Sequence, residues 1–102
     1  MISLPSGTRI WLVAGVTDMR KSFNGLGELV QHALEENPFS GHLFIFRGRK
    51  GDTVKILRAD ADGLCLFTKR LEDGQFIWPA VREGKIVITR SQLAMLLDRL
   101  DW

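Results

Sequence analysis

One cysteine, Cys65, occurs in 102 residues. A lone thiol cannot close an internal disulfide, so no covalent staple holds the fold, and the composition fits a reducing cytoplasm. Within Leu64-Cys65-Leu66-Phe67 this thiol reads as a small buried hydrophobe. Long hydrophobic runs are missing too, since nothing approaches the roughly 20 apolar residues of a membrane span. Residues Met1 to Gly7 carry no basic segment, and Ile10 to Ala14 is too short for the core of a signal peptide. The expectation is a soluble, cytoplasmic protein with no membrane partner. Charge of one sign is also scarce: 14 Lys and Arg face 12 Asp and Glu, a formal net charge of +2. Attraction to a polyanion must therefore come from where charge is placed, not from its sum. No linker, repeat or low-complexity tract divides the chain, which leaves room for one domain, 1–102, with a modest core.

Signatures of catalysis are equally absent. The glycines of Arg47-Gly48-Arg49-Lys50-Gly51 form no phosphate loop, because no GK[ST] opens a helix. His32 and His42 have no Cys or Ser nucleophile at a recognisable spacing. Asp60-Ala61-Asp62-Gly63 resembles a fragment of a calcium loop, but Thr68 and Lys69 follow where further ligands belong. Asp18, Asp60, Asp62 and Glu72 sit at expected turns and a helix cap, a poor arrangement for holding two metal ions. No catalytic residue, metal ligand or cofactor is expected.

Hydrophobic patterning is plentiful. Thr8 to Ala14 reads as a first strand, and Asp18 as the N-cap of a helix over Met19 to Glu36. On that helix Met19, Phe23, Leu26, Val30, Ala33 and Leu34 share one face, and Asn37-Pro38 ends it. A meander follows, with strands near His42 to Arg47, Thr53 to Ala59, Leu64 to Leu71 and Gln75 to Trp78, and a last one near Lys85 to Thr89. Asp-Gly and Glu-Gly steps mark the turns. A closing helix starts near Ser91 with the stripe Leu93, Leu96, Leu97 and Leu100, and Thr89 and Gln92 have capping-box spacing. The expected class is α+β, an antiparallel sheet of about five strands with two helices packed on one face.

Basic residues crowd the middle of the chain. Arg47, Arg49, Lys50, Lys55 and Arg58 meet one acid, Asp52, across a hairpin. Lys69 and Arg70 follow on a strand expected two positions over, and Arg20 and Lys21 open the first helix, an unfavourable place for positive charge. Three readings are open for this set: a solvated loop that resists edge pairing, phosphate contact in a nucleoprotein complex, or contact with an acidic protein. Among the aromatic residues, Trp78 beside Pro79 and Trp102 at the end are the ones expected to be partly exposed and to join a partner interface.

GHLFIFRGRKGD, then DGLCLFTKRLEDGQFIWP, with MISLPSGTRIWLVAGVTDMRKSFNGL at the start and SQLAMLLDRLDW at the end, carry a family likeness over nearly the whole chain. The sequence resembles the small accessory protein of IS-sixty-six-type bacterial insertion sequences, the TnpB or second-open-reading-frame type, which is unrelated to the RNA-guided nuclease of the same name. The resemblance implies participation in transposition beside a separate, larger transposase and supplies no catalytic residues to transfer. The function expected is a non-catalytic accessory role with that transposase as partner and DNA as a possible second one. A protein adaptor without DNA contact is the alternative, and a small metal-dependent nuclease the outsider.

Overall fold

Two tetrads, Ile10-Trp11-Leu12-Val13 and Leu43-Phe44-Ile45-Phe46, contain no polar residue in either phase of a strand's alternation. A strand that is apolar on both faces has to be covered on both. The computed structural model, which describes residues 4–99, meets that demand with a five-stranded sheet between two helical layers. Its strands are β1 (Ile10–Val13), β2 (Leu43–Arg47), β3 (Thr53–Ala59), β4 (Leu64–Arg70) and β5 (Lys85–Ile88), in the spatial order β4-β3-β2-β1-β5. Helix α1 (Phe23–Glu28) runs on into a π-helical segment, Leu29–Ala33, and α2 is Arg90–Leu97.

On one face Ile10, Leu12, Leu43, Ile45, Val54, Ile56 and Ile88 pack with Leu93, Leu96 and Leu97 of α2 and with Phe76. On the other, Val13, Phe44, Phe46 and Leu57 pack with Leu26, Val30 and Leu34. The α+β class stands, but the two helices lie on opposite faces, not on one. The sheet is also mixed. β2, β3 and β4 form the expected antiparallel meander and β5 pairs antiparallel with β1, yet β1 and β2 are parallel, with Ile10 opposite Leu43 and Leu12 opposite Ile45. The physical reason is the helix between them: a helical crossover returns the chain to the same end of the sheet, so the next strand runs in the same direction.

The first helix is shorter than its apolar periodicity suggests. Asp18 does not cap it; its carboxylate accepts the Arg20 N–H at 2.9 Å, and the Lys21 N–H reaches the Asp18 carbonyl at 3.1 Å. These bonds close a turn, so α1 begins at Phe23 after an N-cap Ser22 that makes no side-chain bond. At the other end the Leu34 N–H bonds to the Leu29 carbonyl, five residues back, and Glu35 turns left-handed at φ 55°, ending the helix before Asn37-Pro38. Lys85 fastens this end to the sheet, with Nζ 3.0 Å from the Leu34 carbonyl, 3.2 Å from Glu36 and over the Trp11 ring. Of the six residues assigned to its buried face, Leu26, Val30 and Leu34 are buried and Met19 partly so, whereas Phe23 and Ala33 are exposed.

Gln75 to Trp78 is not a strand. β4 and β5 lie at opposite edges of the sheet, so the chain between them must cross it, and it does so over the α2 face. The Phe76 N–H and the Trp78 Nε1–H both donate to the Gly51 carbonyl, at 2.9 and 3.0 Å, while Gln75 Nε2 donates to the Lys50 carbonyl at 2.7 Å. One turn thus takes bonds that a ladder would have distributed. The capping box of α2 forms as its spacing predicts: the Thr89 side chain accepts from the Gln92 N–H and the Gln92 side chain accepts from the Thr89 N–H. No helix among the described residues is long and apolar enough to cross a membrane.

Candidate functional site

The turn between β2 and β3 is built by its glycines. The Gly51 N–H bonds to the Gly48 carbonyl and the Gly48 N–H to the Thr53 carbonyl, each at 3.0 Å. Gly51 sits at φ +73°, which a side chain disfavours, and a Cβ at Gly48 would lie 2.8 Å from Met19 Cγ. Those constraints press the turn against the β1–α1 connection, which is tied to the sheet by the Thr17 N–H on the Arg47 carbonyl at 2.8 Å. The tip residues Arg49 and Lys50 are left exposed.

A cleft of about 680 Å³ opens between this turn, the connection from Val16 to Arg20 and the end of β4. Four cations line it, Arg20, Arg49, Lys50 and Arg70, with two carboxylates, Asp18 and Asp52. Arg20 is neutralised within the cleft: its guanidinium binds both oxygens of Asp18, the closest contact being 2.8 Å. That guanidinium holds the Asp18 carboxyl well below the usual carboxylate range, and Asp18 raises Arg20 in turn. Arg49, Lys50 and Arg70 have no carboxylate within ion-pair distance among the described residues. With Arg20 and Asp18 offsetting each other, Arg49, Lys50 and Arg70 outnumber the remaining carboxylate, Asp52, and the net positive concavity suits an anion.

The remaining basic residues of the sequence do not join them. Arg47 belongs to β2, and strand alternation turns it away from Phe46 to the α2 face, where its guanidinium carbon lies 5.6 Å from the centre of the Trp78 ring. Lys55 donates Nζ to the Lys21 carbonyl at 2.8 Å, tying β3 to the turn before α1. Lys69 donates to the Leu97 carbonyl at the C-terminal end of α2, also at 2.8 Å, where a cation suits the helix dipole. Arg58 is half-buried beside His42 in a separate cavity at the other end of the sheet. Arg20 and Lys21 precede the helix rather than opening it. Trp78 is half-buried, bonded to Gly51 and edge-on to Phe76 with ring centres 5.7 Å apart; its observed contacts are internal. Trp102 lies outside the described residues.

The acids and the thiol are engaged in turns. Asp60 accepts from the N–H groups of Asp62 and Gly63, at 2.9 and 3.0 Å, and from Cys65 Sγ at 3.3 Å. The Asp62 bond and then the Cys65 bond hold Asp60 below its usual range, while Asp60 pushes the thiol up, which keeps it protonated and a poor nucleophile. Cys65 is exposed on the edge strand β4, not buried. His42 accepts the Arg9 N–H through Nδ1 at 2.9 Å. Among the described residues no three His, Cys, Asp or Glu side chains gather into a potential metal shell.

Residues 8–102 match the family model described as IS66 Orf2 like protein. The uncharacterized protein y4hO of Sinorhizobium fredii is 48% identical over 101 residues, covering 97% of this chain and 88% of that protein. A second uncharacterized protein of that organism, y4jC, is 36% identical over 102 residues, covering 100% of the chain and 87% of its own length. No solved structure matches the chain. With the match running from residue 8 to residue 102, the chain belongs to the IS66 Orf2-like family, whose members are associated with the transposition of insertion sequences.

Proposed function

We propose that this protein is a single-domain, non-catalytic accessory factor in transposition, acting in the cytoplasm beside the transposase of its element and contacting DNA phosphates through the cleft of Arg49, Lys50 and Arg70. The observation that carries the DNA contact is that these three cations line one cleft without a carboxylate partner. Phosphate oxygens are the complementary group, and contacts of this kind position a protein on DNA without reading its sequence. The glycine geometry and the bonds from Gln75, Phe76 and Trp78 hold the turn in place, which reduces the ordering cost of binding. The non-catalytic part is supported by the acids, since Asp18 is held by Arg20 and Asp60 closes the β3–β4 turn.

Binding should be sequence-tolerant and steeply salt-dependent. Each phosphate contact adds about 0.9 to the log–log salt slope on duplex DNA, so Arg49→Ala, Lys50→Ala and Arg70→Ala together lower it by up to about 3. Titration of labelled duplex at several salt concentrations tests this. Wild-type protein that fails to bind at low salt would sink the reading.

An exposed apolar patch favours the adaptor alternative. Phe39 is 66% exposed and Phe23 44%, and both line a shallow groove with Pro38 and Leu64. If the protein only bridges proteins, Phe39→Ser abolishes capture of the purified transposase encoded beside it, while no variant or wild type binds DNA.

A further inference from the structure

At the same end of the sheet, on its α2 side, is a second cavity of about 340 Å³. Leu12, Val13 and the segment from Trp78 to Val81 wall it; its charged groups are Arg47 and Arg82, and no carboxylate lines it. Arg47 is half-buried, and its Nε is buried without a hydrogen-bond partner. The Trp78 ring is a favourable neighbour for that guanidinium, but a cation–π contact offsets only part of the cost of withdrawing a charge from water. Arg82 is exposed, has no ion pair among the described residues, and adds a second positive charge to the same space. Such a cavity is electrostatically incomplete without an anion.

The chain connects this cavity to the front cleft. Arg47 sends its side chain to the rear, while its carbonyl accepts the Thr17 N–H on the loop that walls the front. Gly15 lines the rear cavity and Val16 and Thr17 line the front cleft, so the loop is a ridge between the two. Val16 on that ridge is 56% exposed. Cations thus stand on both sides of a small apolar crest: Arg47 and Arg82 behind, and Arg49, Lys50 and Arg70 in front. Repeated anions joined by an apolar-faced linker match that alternation, and a nucleic-acid strand has this character. A guanidinium can also grip a phosphate through two parallel N–H groups.

We propose that the Arg47–Arg82 cavity is a second phosphate-binding site, and that a nucleic-acid strand held in the front cleft continues over the Val16 ridge into it. This rests on the reading of the front cleft as a DNA contact and extends the footprint to Arg82, a residue outside the basic hairpin. The Val16 side chain contacts the sugar and base side of the strand as it crosses.

Arg82 gives the cleaner test, because it is exposed, whereas Arg47 supports Trp78. Wild type, Arg82→Ala, Arg82→Glu and the front-cleft triple variant are titrated with labelled duplex and single-stranded oligonucleotides over a range of salt. Far-ultraviolet circular dichroism and the urea midpoint of each variant verify the fold. The expected result is a salt slope lowered in Arg82→Ala by about 0.9 on duplex or about 0.7 on single strands, a larger loss in Arg82→Glu, and an additive drop when either is combined with the triple variant. If wild type binds and the triple variant loses slope while both Arg82 variants behave as wild type, the rear site falls and the front-cleft reading survives. Wild type that binds no oligonucleotide overturns both. Loss of transposase capture in Arg82→Glu on that background would assign the cavity to a partner carboxylate instead.

Discussion

Asp60 shows how much one carboxylate can organise at the surface of this protein. It accepts two backbone N–H groups and the Cys65 thiol within a single turn, and its pKa in the folded protein lies below the 3.8 of the free side chain. A group whose pKa is lowered by folding stabilises the native state fully above its unfolded value. That contribution disappears as pH falls through the folded value. Asp18, lowered by Arg20, acts in the same direction. The urea midpoint should therefore drop on acidification from about pH 6 to about pH 2, with the steepest loss below the ordinary carboxylate range. Asp60→Asn should flatten part of that drop, and an unchanged profile would show that the turn does not depend on the charge. At this scale the sequence was only partly legible. Arg47, Arg49 and Lys50 are neighbours in the chain and read as one cluster, but Arg47 belongs to a strand whose alternation sends it to the opposite face from Phe46. Arg82 was not recognisable as a site residue, because nothing local connects it to Arg47; the crossing of the β4–β5 connection does that.

Among the elements, the strands were the most legible and the layering the least. β3 coincides with the run Thr53 to Ala59, and the Thr89–Gln92 spacing identified the cap of α2. Both signals are local. The parallel pairing of β1 with β2 was implicit in the order strand, helix, strand, and the covering of both faces was implicit in two tetrads with no polar phase. Neither can be read from periodicity within one element, which is why the apolar stripes of α1 and α2 alone suggest a single face. The observed arrangement has a thermodynamic consequence. Leu26 and Leu96 are both fully buried, each in the core of a different face. Each Leu→Ala change should cost about 2–5 kcal/mol by loss of transfer energy and creation of a cavity. Because the sheet separates them, the double variant should equal the sum within about 0.5 kcal/mol in urea unfolding. A coupling well above that would mean the two leucines share one core.

For the whole molecule, a net charge of +2 is too small to explain polyanion binding by general attraction, so the location of each cation decides. The front cleft and the rear cavity lie at one end of the sheet, and Arg9 and Arg58 at the other. The seven residues of β3, at about 3.3 Å apiece, set these ends about 20 Å apart. The Debye length at physiological salt is only about 8 Å, so a charge at the far end is screened from DNA bound at the near end. Arg9→Ala and Lys50→Ala change the net charge by the same single unit, and both residues are exposed. Their effects on duplex binding should nevertheless differ. Lys50→Ala should lower the log–log salt slope by about 0.9, whereas Arg9→Ala should leave it at the wild-type value. Salt titrations of the two purified variants side by side make the comparison, with the urea midpoint as a control for folding. Equal slopes in the two variants, both below wild type, would mean that the protein attracts DNA through its overall charge, and the assignment of the contact to one end of the sheet would fall.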